Sequence, residues 1–174
     1  VRLKGDAWAA YFRDFQHSAF RLELLPQYLV EPEHDSFAAF LAGEPMPEGH
    51  NADWHATIRA NTTAGKIMSR VHVVTQPLSD YLRFEFQWGY VGNAGAGEDI
   101  RILDLSRTPD PGLPDTDFWL FDEKAVVAML YEDDGTQIGR ELLDVDPAEF
   151  IRYRDLALAA AVPFSDYRPD DQRP

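Results

Sequence analysis

The sequence predicts an α/β (α+β) domain: a mixed sheet with an antiparallel C-terminal meander, flanked by helices on both faces. Three observations lead there. Segments with apolar residues at helical spacing alternate with short extended runs through the first two thirds of the chain. From Phe118 onward, three extended runs follow one another through tight turns before a closing helix. Aromatic residues make up 13% of the 174 residues, enough apolar surface for a packed core beside 26% charged residues. A chain of this length suits one domain, expected over 1–165, with a charged, Pro-containing tail over 166–174 expected to fray.

Asp6 reads as the N-cap of a first helix, in which Trp8, Tyr11, Phe12 and Phe15 fall on one stripe. Phe20 to Leu25 and Tyr28 to Val30 read as extended, interrupted by Pro26. Pro32 opens a short helix with Phe37, Phe40 and Leu41 turned inward and Gly43 as its stop. After a Pro- and Gly-containing loop, Asn51 caps a third helix carrying Trp54 and Ile58, which Gly65 ends. Ile67 to Thr75 is a strand whose alternation puts Ile67, Val71 and Val73 on one face and Met68, Arg70, His72 and Val74 on the other. Pro77 is expected in the first turn of a fourth helix, with Leu78, Leu82 and Phe86 in a row and Tyr81, Phe84 and Trp88 widening its apolar surface. Gly89 to Gly97 reads as a glycine-rich loop or lid, Asp99 to Leu105 as a strand, and Thr108 to Pro114 as an irregular loop. Phe118 to Phe121, Ala125 to Tyr131 and Gln137 to Leu143 form the meander, turning at Asp122 and Glu123 and then at Asp133 to Gly135. Asp146, Pro147 and Glu149 start a last helix that runs to about Val162.

Thirty acidic residues against sixteen basic give a net charge of −14. That charge repels nucleic-acid phosphates, so direct DNA or RNA binding is disfavoured, and it suits either a basic protein partner or solubility alone. No apolar run approaches the roughly 20 residues that span a bilayer, the first residues lack the apolar stretch of a signal peptide, and no membrane association is expected. There is no cysteine, hence no disulfide framework and no thiolate metal site, and a cytoplasmic setting is expected. The five histidines are dispersed without metal-ligand spacing, so neither a metal nor another cofactor is expected. Gly89, Gly92, Gly95 and Gly97 match neither phosphate-loop spacing, and Glu98 and Asp99 follow them directly.

The chemically interesting pair is Arg70 and His72, about 7 Å apart on one face of an apolar strand. Under helices they must find polar partners, whether a ligand or buried acids such as Glu85 or Asp99; on an uncovered face they would meet solvent. Arg70 suits a carboxylate or phosphate, and His72 suits proton transfer near neutral pH. Tyr81 and Glu85 share a helix face four residues apart, so Arg70, His72, Tyr81 and Glu85 form a candidate ligand pocket where strand meets helix. Arg101 is a further candidate anion clamp.

The pieces Arg21-Leu22-Glu23, Arg70-Val71-His72-Val73-Val74, Pro77-Leu78-Ser79-Asp80-Tyr81-Leu82-Arg83, Gly97-Glu98-Asp99-Ile100-Arg101 and Asp117-Phe118-Trp119-Leu120-Phe121-Asp122, taken in order, resemble an uncharacterised actinobacterial family of unknown function. The resemblance covers nearly the whole chain. It implies a genomic setting near helix-turn-helix regulators and small acidic companion proteins, regulatory or toxin–antitoxin-like in kind. More distantly, the Trp54 and Ile58 helix, the strand at Arg70 and the Phe118 to Asp122 hairpin resemble one half of the phospholipase-D-like fold, whose chemistry uses H-x-K-x-x-x-x-D. Val74 stands two residues after His72, and none of the five histidines has lysine at that position, so the family's standard chemistry is absent. Two readings follow. One is a non-catalytic regulatory module that binds a basic partner, such as a helix-turn-helix regulator, or a small anionic ligand. The other is a toxin-like hydrolase or nucleotide-processing enzyme, with His72 as nucleophile or base, Glu85 as its acid–base partner, and Arg70 and Arg101 on the anion.

Overall fold

In the computed structural model, which describes residues 1–172, the chain runs α1 (Gly5–Asp14), β1 (Ser18–Glu23), α2 (His34–Leu41), α3 (Ala52–Thr63) and β2 (Ile67–Val74). It continues through α4 (Asp80–Phe84), a π-helical stretch over Glu85–Tyr90, α5 (Val91–Ala96), β3 (Asp99–Asp104), β4 (Asp117–Phe121), β5 (Ala125–Tyr131), β6 (Gln137–Leu142), α6 (Ala148–Ala160) and the short β7 (Val162–Pro163). The strands make one mixed sheet of seven, in the order β6-β5-β4-β1-β2-β3-β7. β1, β2 and β3 are parallel neighbours, while β4, β5 and β6 form the antiparallel meander that the closely spaced extended runs predicted.

Side-chain parity sorts the core into two layers, because residues paired across a sheet point the same way. On one face Ala19, Met68, Trp119, Phe121 and Val127 pack against Trp8, Tyr11 and Phe12 of α1 and Ile58 of α3. Farther along the same face, Val74, Ile100 and Ile102 meet Leu82, Phe86 and Tyr90. The opposite face, with Phe20, Leu22, Val71, Val73, Leu103 and Phe118, is covered by α6 through Phe150, Ile151, Ala157 and Leu158. Helices therefore flank both faces, five of the six on one of them. Among the described residues no helix is long and apolar enough to cross a membrane.

Several local expectations are corrected. Asp6 lies inside the first turn of α1, paired with Arg13 at 2.9 Å, and Lys4 holds the cap position. Leu41, expected inward, is 55% exposed, because Phe37 and Phe40 already fill the contact with Phe84 and Trp88. Pro77 stands outside the fourth helix behind a cis peptide bond; Ser79 starts it by accepting from the Leu82 N–H at 3.1 Å. The segment Asp166 to Gln172, expected to fray, carries Tyr167 at 4% exposure, while Arg173 and Pro174 lie outside the described residues.

The largest correction concerns Gly89 to Gly97, which is helix rather than loop. Here glycine permits close approach. A Cβ at Gly92 would stand 2.6 Å from the His55 ring, and one at Gly97 would stand 2.7 Å from Thr62 Oγ1, so the glycines let α5 lie directly on α3. Gly97 also ends α5 with φ of +118°, the left-handed cap that glycine adopts without cost. Gly97→Ala is accordingly expected to lose about 1–3 kcal/mol in urea denaturation, from backbone strain and the Thr62 contact together. Gly95→Ala has open space around its Cβ and an ordinary helical backbone, and is expected to gain about 0.5–1 kcal/mol. Equal effects at the two positions would contradict the packing argument.

Candidate functional site

The parallel register of β1 and β2 aligns Arg21 with Arg70 and Glu23 with His72, all on the face under the helices. Sequence alternation placed Arg70 and His72 together, and the structure adds the charged residues of β1 beside them. Each cation is neutralised within the protein. Arg70, 9% exposed, donates from Nε to Glu98 Oε1 at 2.9 Å and from Nη1 to Glu23 Oε1, with its guanidinium 5.4 Å from the Tyr90 ring centroid. Arg21, 4% exposed, donates to Asp117 Oδ2 at 2.9 Å and to the Tyr131 hydroxyl at 3.1 Å. Tyr28 donates to the same Asp117 oxygen at 2.5 Å, and Asp117 Oδ1 accepts the Leu24 N–H at 3.0 Å.

His72 is fully buried. Its Nε2 lies 2.9 Å from the Leu25 carbonyl oxygen, which only accepts, so that nitrogen carries the hydrogen. Its Nδ1, 2.7 Å from the Tyr90 hydroxyl, then accepts from Tyr90 in the neutral ring. Burial holds the imidazole below its usual pKa, opposed by the nearby Glu23 carboxylate. Burial alone would push Glu23 up, but Arg70, His72 and Arg21 together hold it down at about 2.

Tyr81 and Glu85 meet as expected, with a partner the sequence did not indicate. The Tyr81 hydroxyl lies 2.8 Å from Glu33 Oε2 and 2.8 Å from Glu85 Oε2. It has one hydrogen, so one of the two acids must itself be protonated and donate to the phenol oxygen. Glu85 is that acid: burial, then the Glu33 and Glu23 carboxylates, raise it to about 8. Glu33 is raised as well, chiefly by burial. Both are half-buried.

Arg101 stands apart. It pairs in register with Val71, which puts it on the α6 face, where it donates to Asp99 at 3.0 Å and to the Leu158 carbonyl at 3.4 Å. Arg70 and His72 thus share one hydrogen-bonded cluster through Glu23 and Tyr90, Tyr81 and Glu85 form a second with Glu33 that feels the first only through its charges, and Arg101 belongs to neither. Sequence reasoning missed Glu23, Glu33, Glu98, Tyr90 and Asp117. The signal available for Glu23 was the alternation of Arg21 and Glu23 with Phe20, Leu22 and Leu24, which places two charges on one strand face. The candidate Arg70 partners named from sequence, Glu85 and Asp99, give way to Glu23 and Glu98. Among the described residues no group of three or more His, Asp and Glu is placed to hold a metal ion.

No curated protein matches the chain. A solved structure similar to it is that of a phospholipase D family member, Nuc from Salmonella typhimurium, at 9% identity over 93% of this chain and 91% of that chain, with a TM-score of 0.49. A superposition that loose transfers none of Nuc's chemistry. The family described as Domain of unknown function (DUF6879) matches residues 6–169, and the chain belongs to that family.

Proposed function

We propose that this chain is a non-catalytic binding module, acting in the cytoplasm, whose partner is a basic protein. The observation that carries the reading is the internal pairing of the two candidate reactive groups: His72 is wholly buried with both ring nitrogens engaged, and Arg70 is already neutralised by Glu23 and Glu98. A histidine without an open face has no reactant to serve, and a small anion at Arg70 would have to displace two buried carboxylates. The net charge of −14 supports a basic partner, and a helix-turn-helix regulator is the one the sequence resemblance implies. The test is purification of the tagged full chain from its native host at low salt. The expected result is a co-purifying protein of pI above about 9 that dissociates near 0.5 M salt and rebinds when both are pure.

One observation favours an enzyme instead. Glu85, protonated near neutrality and hydrogen-bonded with Tyr81, has the pKa of a general acid and is half-buried. Hydrolysis of bis(p-nitrophenyl) phosphate by the pure chain, lost in both Glu85→Gln and His72→Ala folded variants, would overturn the binding-module reading.

A further inference from the structure

The segment Phe164 to Gln172 starts beside the beginning of β3, where the Phe164 N–H donates to the Ile100 carbonyl at 2.8 Å, and Tyr167 reaches the ends of β2 and β3 at Gln76 and Asp104, where parallel strands finish and α/β sheets present ligand sites. Its Tyr167 ring is buried, and its hydroxyl donates to Asp104 Oδ2 at 2.8 Å, with Gln76 Nε2 in contact with both. Two ion pairs hold the end of the segment: Arg107 with Asp170 at 2.5 Å and Arg83 with Asp171 at 2.7 Å. The Arg107 guanidinium also lies 5.0 Å from the Tyr167 ring centroid.

Two features distinguish this from ordinary packing of a segment on the fold. Cavities of about 300 Å³ and about 630 Å³ flank the segment, with Tyr167 and Arg168 as a wall of both, so the segment lies between Leu78, Arg83 and Phe86 on one side and Ile102, Asp104 and Arg107 on the other. The ion pairs that hold it are open to water, with Asp170 58% and Asp171 50% exposed, so they are weak and salt-sensitive. On a chain of net charge −14, Arg83 and Arg107 make this groove locally complementary to acidic chain.

We propose that Phe164 to Gln172 is an internal occupant of a peptide-binding groove, and that displacing it exposes a docking surface for an acidic, tyrosine-bearing segment of a partner protein. The tyrosine enters the slot against Asp104 and Gln76, and the acidic residues pair with Arg83 and Arg107. This surface is distinct from the acidic exterior assigned to a basic partner, and its charge preference is the reverse.

The test uses the full chain and a fluorescent peptide of its own residues 164–172 as the probe, read by anisotropy. In the wild type the tethered segment competes at an effective concentration on the order of millimolar, so the peptide binds poorly. Asp170→Asn with Asp171→Asn loosens the tether without touching the groove, and is expected to raise peptide affinity about tenfold. Adding Arg83→Ala and Arg107→Ala is expected to remove that gain. Tyr167→Phe, which keeps the ring and drops its hydrogen bond, is expected to raise affinity as well and serves if the double Asn variant does not fold. No difference between wild type and the loosened variants, or binding indifferent to Arg83 and Arg107, would overturn the proposal. Dimerisation of the loosened variant without any gain in peptide affinity would also overturn it, in favour of exchange between copies.

Discussion

Arg70→Ala is expected to destabilise the domain by about 3–5 kcal/mol at pH 7, more than truncation of a long exposed side chain would cost. Glu23 is 5% exposed and the Glu98 side chain is fully buried, so removing the guanidinium leaves two carboxylates out of water without the cation that hydrogen-bonds both. The loss measures that abandonment rather than the net worth of the ion pairs, and the control separates the two. Arg70→Met combined with Glu23→Gln and Glu98→Gln removes all three charges and is expected to recover most of the stability. The pH dependence has a defined sign. In the wild type Glu23 sits near 2 when folded, below the ordinary 4.5, so its contribution is complete above about pH 4.5 and is lost as pH falls toward 2. Without Arg70, burial dominates and raises the carboxyl, so the deficit of the variant is largest at neutral pH and shrinks toward pH 4. Urea denaturation at pH 4 and pH 7 reads this directly; a loss below about 1 kcal/mol at pH 7 would show that Glu23 and Glu98 do not depend on Arg70.

That Arg70 and His72 share a face was legible from the alternation of one strand, because period-two parity is a local property; that helices cover this face was not. Their partners were not. Glu23 is 47 residues from Arg70 and Glu98 is 28 away, and the parallel register of β1, β2 and β3 brings all three together. Nothing in a single sequence fixes that register. The same blindness misplaced Arg101, whose pairing with Val71 turns it to the α6 face. Hairpins fared better: turns at Asp122 and Glu123 and at Asp133 to Gly135 carry their own backbone chemistry, and Asp122, Glu123 and Gly135 all have positive φ. The glycines from Gly89 to Gly97 misled because glycine marks both turns and close helix contacts, and only the positions of His55 and Thr62 distinguish the two. Glu33 was invisible for a simpler reason. It lies in the short 3-10 turn before α2, a surface position by every local criterion, until Tyr81 reaches it from 48 residues away.

Glu85→Gln is expected to stabilise the domain by on the order of 2 kcal/mol at pH 9 and to leave it nearly unchanged at pH 5. The folded carboxyl, raised to about 8, keeps a proton through a range in which the unfolded chain, near 4.5, has released it. The native state therefore binds more protons than the unfolded one between those values, and stability falls as pH rises from about 4.5 through 8. Full conversion of the shift would give a larger figure, but the side chain is half-buried and solvent screens part of it. Glutamine keeps an N–H to donate to the Tyr81 oxygen and cannot ionise, so the variant escapes this decline while preserving the bridge to Glu33. Tyr81→Phe separates charge from hydrogen bonding: it leaves both acids without their bridge and is expected to destabilise at pH 5 and at pH 9 alike. Parallel stability curves for wild type and Glu85→Gln from pH 5 to 9 would mean that Glu85 holds no proton. Tyr81, with its single hydrogen, would then be facing two charged carboxylates, an arrangement the half-buried site cannot sustain without a cation between them.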